Sequence, residues 1–272
     1  MNLQLNDPIY KAFPEKGTAP INKQMPLLRA EGRVPLSAAG LMARYLEVLD
    51  LLRKAPKESK PIYASLVAAW EDNNFDTGDG VVRDYLGRVL VLRSARYLED
   101  LTPKTPLVEG AVIPEGIEAW KDGGGNTPPI FSAAEVSIYC DKPTIPDGAK
   151  HNPFWQALAG WNQELLNEFV DARFARAKER FGYPDDSMMG VSVPPIPEKG
   201  TLGHAWCISG LMEYSGRADY GSGLGSPYGR LIGVAESRGK RNIPLSSPIG
   251  WHSTLENLVL ENTRLPNRRF VF

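Results

Sequence analysis

The segment from Asp72 to Leu92 holds the chain's densest grouping of residues that could do chemistry. Asp72, Asn74, Asp76 and Asp79 offer oxygen ligands or acid–base groups, and Gly78, Gly80 and Gly87 offer turns. Asp72, Asn74 and Asp76 stand at alternate positions, as oxygen ligands do at the start of a calcium loop. Thr77 occupies the place where such a loop wants glycine, and Arg83 the place of its bidentate glutamate. The pattern therefore departs from a calcium site. The plainer reading is an acidic turn before a buried hairpin. Asp76 and Asp79 would bond nearby backbone N–H groups, with positive φ at Gly78 and Gly80.

A second grouping runs from Ser215 to Arg230. Gly221, Gly223 and Gly225 could turn backbone N–H groups toward an anion. Arg217, Tyr220, Tyr228 and Arg230 could stack on and clamp a ligand. No Gly-Lys-Ser/Thr follows, and a strand is predicted next, so this is neither a P-loop nor a dinucleotide turn. The same residues also suit a mobile surface loop. If a small-molecule site exists, its expected place is between the Asp76–Asp79 turn and the Gly221–Gly225 loop.

Cys140, Cys207, His151 and His204 could together hold zinc, or a Cys–His pair could make a nucleophile. No CxxC or HExxH spacing supports either. Both cysteines are expected to be buried, reduced and metal-free, and no cofactor is expected. No Gly-x-Ser-x-Gly elbow is present. Arg238, Lys240, Arg241, Arg268 and Arg269 form short basic runs that could contact phosphates.

Phe75, Asp76, Thr77, Gly78 and Asp79, followed by a hairpin, are similar to a motif of adenylate-forming enzymes. That resemblance implies a ribose-binding role for Asp79. It is confined to this segment. The chain has no Ser/Thr/Gly-rich phosphate loop and is too short for the fold of those enzymes.

The elements that must position these residues read as α+β. The chain has 272 residues, 42% hydrophobic and 23% charged, with a net charge of -1. That suffices for a sizeable core and gives no global pull toward nucleic acid. The longest aliphatic run, Val89 to Leu92, is far too short to span a membrane. With no visible secretory signal at Met1, the expectation is a cytoplasmic protein, or part of a virion or other assembly made in the cytoplasm.

Residues 1–36 carry prolines at 8, 14, 20, 26 and 35, which predicts an extended arm and not a helix. Its apolar residues, Phe13, Ile21, Met25, Leu27 and Leu28 among them, suggest docking on its own domain or on a partner. Residues 37–272 read as a single domain with a possible sub-boundary near 182–186. Helices are predicted from Ser37 and Ser59, then a hairpin over Val81 to Leu92. Strands are predicted at 107–113 and 130–140. One long central helix follows from Asn152 toward Gly182, with Gly160 as a possible break. Short strands follow at 188–193, 202–208, 210–214 and 230–235, in an antiparallel sheet. A last helix is predicted from Thr254 to Asn262.

No complete catalytic set is visible. The expected function is therefore a non-enzymatic structural or interaction protein, a subunit of a larger assembly. Self-association or a protein partner would engage residues 1–36 and the C-terminal tail. A small-molecule binder or enzyme and a nucleic-acid-binding subunit are the alternatives.

Overall fold

The computed structural model describes residues 9–13, 19–114, 128–184, 188–211, 216–221, 223–227 and 229–235. Tyr228, the predicted helix at Thr254–Asn262, the basic runs beyond Ser237 and the C-terminal tail lie outside the described residues. The elements in chain order are β1 (Tyr10–Phe13), α1 (Ile21–Ala30), β2 (Arg33–Pro35), α2 (Ala38–Lys54), α3 (Lys60–Asp72), β3 (Phe75–Asp84), β4 (Val89–Leu92), α4 (Arg96–Glu99), β5 (Ile130–Phe131), α5 (Ala133–Tyr139), α6 (Pro146–His151), α7 (Pro153–Leu158), α8 (Gln163–Phe181), β6 (Thr201–Ile208), β7 (Ala218–Asp219) and β8 (Arg230–Ala235).

The chain is thus a mixed helix-and-strand fold built on one sheet. β3 is its spine. Its first residues pair with β8 on one side and β6 on the other, and its later residues pair with β4 and β6. The β3–β8 pairing is parallel, so the sheet is mixed rather than purely antiparallel. β7 extends β6, β5 extends β4, and β1 and β2 both lie along β8.

Alternation along the strands puts side chains on two covered faces. Phe75, Trp206, Ile208, Ala218 and Ile232 enter the larger core, beneath α2, α3, α7 and α8. Ala205 and Leu231 enter a second core on the opposite face, with Phe13, Ile21, Met25, Leu28, Leu98 and Leu224. Met188, Met189, Val191 and Val193 join the larger core beside Leu166 and Val170. Described residues on both sides of the sub-boundary expected near 182–186 therefore share one interior.

Several expectations are corrected. Residues 21–30 form a helix despite Pro26. Pro20 stands at its N-cap, and Ile21, Met25 and Leu28 recur at helical spacing on its buried face. Burial of that stripe outweighs the one backbone bond that Pro26 cannot donate. Of the apolar residues that suggested docking, Phe13, Ile21, Met25 and Leu28 are used inside the domain, in β1 and α1, while Leu27 is exposed. Residues 133–139 are helical, not a strand, because Ser132 and Glu135 form a capping box. At 107–113 there are only isolated bridges. The long helix is divided. α7 ends before Gly160 and Trp161, both at positive φ, and α8 restarts with Asn162 capping Leu165 N–H at 3.0 Å. Along this stretch Trp155, Leu158, Phe169 and Phe174 are buried, while Leu165 is only partly so.

Asp76 and Asp79 do not flank a turn. β3 begins at Phe75, and its register with β6 shifts between Asp76 and Gly80. This is a bulge, which re-aims side chains within a strand. Neither Gly78 nor Gly80 has positive φ. They are glycines because a Cβ at Gly78 would press on Pro35, 2.8 Å from its Cγ, and one at Gly80 would collide with Tyr97 and Ala95.

Candidate functional site

The register sets the site. Asp76 pairs with Cys207, and Cys207 with Asp219, so three side chains line up across β3, β6 and β7. Their chain neighbours Phe75, Ile208 and Ala218 face the larger core, so this row faces the opposite side. Asn74, Ser209 and Arg217 stand two residues along from them and line the same cavity. β7 pairs only with Cys207 and Ile208, leaving the β6 edge from Leu202 to Trp206 uncovered by it. The cavity reaches this edge, where Leu202 and His204 also line it. It has a volume of about 520 Å³. That falls within the range of small-molecule pockets.

The two carboxylates are held differently. Asp219 accepts from Ser209 Oγ at 2.8 Å and from Gly221 N–H at 2.7 Å, and Arg217 lies near enough to favour its ionised form. Burial still pushes its pKa upward. Asp76 has no hydrogen-bond donor among the described residues, and no cation beside it there. Burial first, and the Asp219 charge second, push its pKa up to about 7. The glycines around it leave it room. A Cβ at Gly229 would overlap its carboxyl, and one at Gly221 would sit 3.7 Å from its Oδ1.

Burial pushes the Cys207 thiol well up, with both acids adding to the effect, so it is protonated and a poor nucleophile. Burial lowers His204 to about 4, leaving its ring neutral at physiological pH. The ring meets Tyr220 edge-on with centroids 5.4 Å apart, and its Nδ1 is buried with no partner among the described residues. Cys140 is buried elsewhere, in the larger core, and its thiol is pushed up to about 12. No group of three or more His, Cys, Asp or Glu among the described residues is placed to hold a metal ion.

The other singled-out residues are distributed as follows. Asp76, Arg217, Tyr220 and Gly223 line the cavity, with Gly221 beside them. Asp79 does not. It is fully buried, and its carboxyl accepts from Ala38 N–H at 2.7 Å and Ser94 N–H at 3.0 Å. It therefore caps the start of α2 and ties down the turn after β4, buried away from the cavity where a ribose would have to sit. Arg230 is buried and not part of the lining. Of the glycines expected to offer N–H groups to an anion, Gly221 is engaged, its N–H serving Asp219, while nearby Leu224 N–H serves Gly110 O at 2.6 Å and Ser226 N–H serves Gly223 O.

Asp219 and Ser209 were not singled out in the sequence. The polar-apolar-polar order Arg217, Ala218, Asp219 is the period-2 signal of a strand, but two residues are too few to stand out. A second buried acid, Glu71, was missed too. It bonds Arg176 at 2.7 Å, Arg180 at 3.0 Å and Tyr45 at 3.1 Å, joining α3 to α8 and α2. Arg173, Arg176 and Arg180 recur on one face of α8, and such a stripe calls for a buried acid opposite.

No protein-family model matches the chain, and no curated protein matches it. Among solved structures it is similar to one described as "Accommodation of massive sequence variation in Nanoarchaeota by the C-type lectin fold". The identity is 15%, the TM-score 0.55, and the match covers 85% of this chain and 100% of the other. The likeness is one of fold, and it assigns the architecture to the C-type lectin type. No described helix is long and apolar enough to cross a membrane.

Proposed function

We propose that this chain is a non-enzymatic recognition protein, and that its ligand enters the cleft bounded by Asp76, Asp219, Ser209, Tyr220 and His204. One observation carries the reading. Polar side chains from three adjacent strands converge on a cavity of about 520 Å³, and one of them, Asp76, is buried without a donor among the described residues. A buried carboxyl without hydrogen bonds costs stability, so a role in binding is the natural reason to keep it. The neighbour in Nanoarchaeota supports the reading in general terms, because its fold is described as accommodating sequence variation. Catalysis is the weaker reading. The cleft's thiol is protonated, its histidine is too acidic to act as a base, and among the described residues no activated nucleophile faces them.

The test is a fragment screen by NMR, using amines, guanidines, sugars, carboxylates and nucleotides, with each compound checked for turnover. The expected result is binding without turnover, with shifts concentrated at Asn74, Asp76, Ser209 and 217–221. Binding confined to other surfaces would refute the site. Turnover of a bound fragment would refute the non-enzymatic role.

A further inference from the structure

We infer that the cleft recognises an organic cation, a primary ammonium or a guanidinium, with Asp76 as its counter-ion. This rests on the proposed ligand site above and specifies what that site takes.

The two acids differ in what they lack. Asp219 already has Ser209, the Gly221 N–H and the Arg217 charge. Asp76 has neither a donor nor a cation among the described residues, though it is only 9% exposed. Gly221 stands between them, bonding Asp219 through its N–H and facing Asp76 Oδ1. The cleft around Asp76 is therefore negative on two sides and pre-shaped by glycines.

His204, from β6, is 3% exposed and also lines the cavity. It pairs with Val81 of the larger core, its Nδ1 is fully buried, and its ring is neutral at physiological pH, so it brings no competing charge to the cleft. An ammonium has three N–H donors and a guanidinium five, and neither brings an acceptor. Such a group satisfies the open Asp76 carboxylate. A ligand carboxylate or phosphate would face Asp76 and Asp219 with like charge. The Tyr220 ring, edge-on to His204, adds an aromatic wall suited to a cation or to its alkyl stem.

Proton linkage gives a readout that structure alone would not. The charged groups facing Asp76 are Asp219 and Arg217 on and beside β7, with neutral Cys207 and His204 on β6. Glu109 also lines the cavity. Asp76 must lose its proton to pair with a cation. In the free protein it holds that proton up to about pH 7. Affinity should therefore be full above neutrality and fall about tenfold per pH unit below it, as one proton competes with one ligand.

The experiment titrates the full chain with n-butylguanidine and its uncharged isostere n-butylurea by calorimetry, across pH 5.5 to 8.5 and with Asp76→Asn. A capped tripeptide Ala-Arg-Ala and its citrulline counterpart form a second pair. The guanidines should bind at least tenfold more tightly than the ureas at pH 8. That advantage should shrink with acid and be lost in Asp76→Asn. Tighter binding of the peptide than of butylguanidine supports a partner's arginine side chain, and equal binding supports a free small cation. Equal binding of guanidine and urea, or no binding of either while uncharged fragments occupy the cleft, overturns the cation and leaves the ligand site standing. If no fragment of any class occupies the cleft, both readings fail together. The pH series on the parent keeps the test decisive should the variant misfold.

Discussion

Asp76 and Asp79 sit three residues apart on one strand, Asp76 at the start of a bulge and Asp79 within it, and both are buried. Their surroundings have little else in common. Asp79 faces the start of α2 and the turn after β4, and two backbone N–H groups and Arg93 counter the cost of its burial. Asp76 faces a cavity with another acid beside it and no donor among the described residues. The contrast separates two uses of a buried carboxyl. One is spent on joining elements, and the other is left open. Glu71 belongs with Asp79, since Arg176, Arg180 and Tyr45 surround it.

The contrast is broken most severely at Glu71. Glu71→Ala removes the fully buried acid that bonds Arg176, Arg180 and Tyr45, leaving Arg176 with Glu179 and Arg180 with Asp72. Loss of this three-partner acid should cost about 3 kcal/mol, measured by urea unfolding. Retention of parental stability would show that α3 and α8 are held by apolar packing alone. Asp79→Asn comes next. An amide has one oxygen, so its NH2 must face either the Ala38 or the Ser94 N–H. The expected loss is about 1–3 kcal/mol at pH 7. A neutral outcome would move Asp79 out of the structural class.

How much of this was legible in the sequence depends on the range of the interaction. The Val81–Leu92 hairpin, the Ser37 cap and the break at Gly160 follow from neighbours in the chain, and each could be read. The α1 stripe of Ile21, Met25 and Leu28 was equally local but was hidden by prolines at 20 and 26. The capping box at Ser132 and Glu135 was hidden by an apolar run with strand-like composition. The partners of Asp79 are 41 and 15 residues away. The row of Asp76, Cys207 and Asp219 joins strands far apart in the chain, and only a register can assemble it. So the sequence suggested an acidic segment and a glycine-rich segment near one site. It did not distinguish which aspartate faced the cavity, nor show that Asp219 would be its neighbour.

Smaller effects sharpen the comparison. Gly229→Ala should leave stability within about 1 kcal/mol only if the Asp76 carboxyl can swing away. If it cannot, cleft binding should be lost along with part of the stability, as read by chemical shifts at Asp219 and by melting. Excess calcium should leave the melting temperature unchanged. A rise abolished by Asp76→Asn would instead make the Asn74–Asp76 segment a metal site.

The central claim, that Asp76 is a buried acid kept open and ionisable, is tested most directly by the stability of Asp76→Asn against the parent as a function of pH. A carboxyl whose pKa is raised on folding holds its proton longer in the folded chain than in the unfolded one. Ionising it therefore weakens the parent as pH climbs from the ordinary carboxylate range through about 7. The asparagine variant escapes this penalty. The account predicts near-equal stability at pH 4 and a variant more stable by roughly 2–4 kcal/mol at pH 8, from the linkage of about 1.4 kcal/mol per pKa unit. A variant that is less stable than the parent at every pH, by as much as Asp79→Asn, would contradict it.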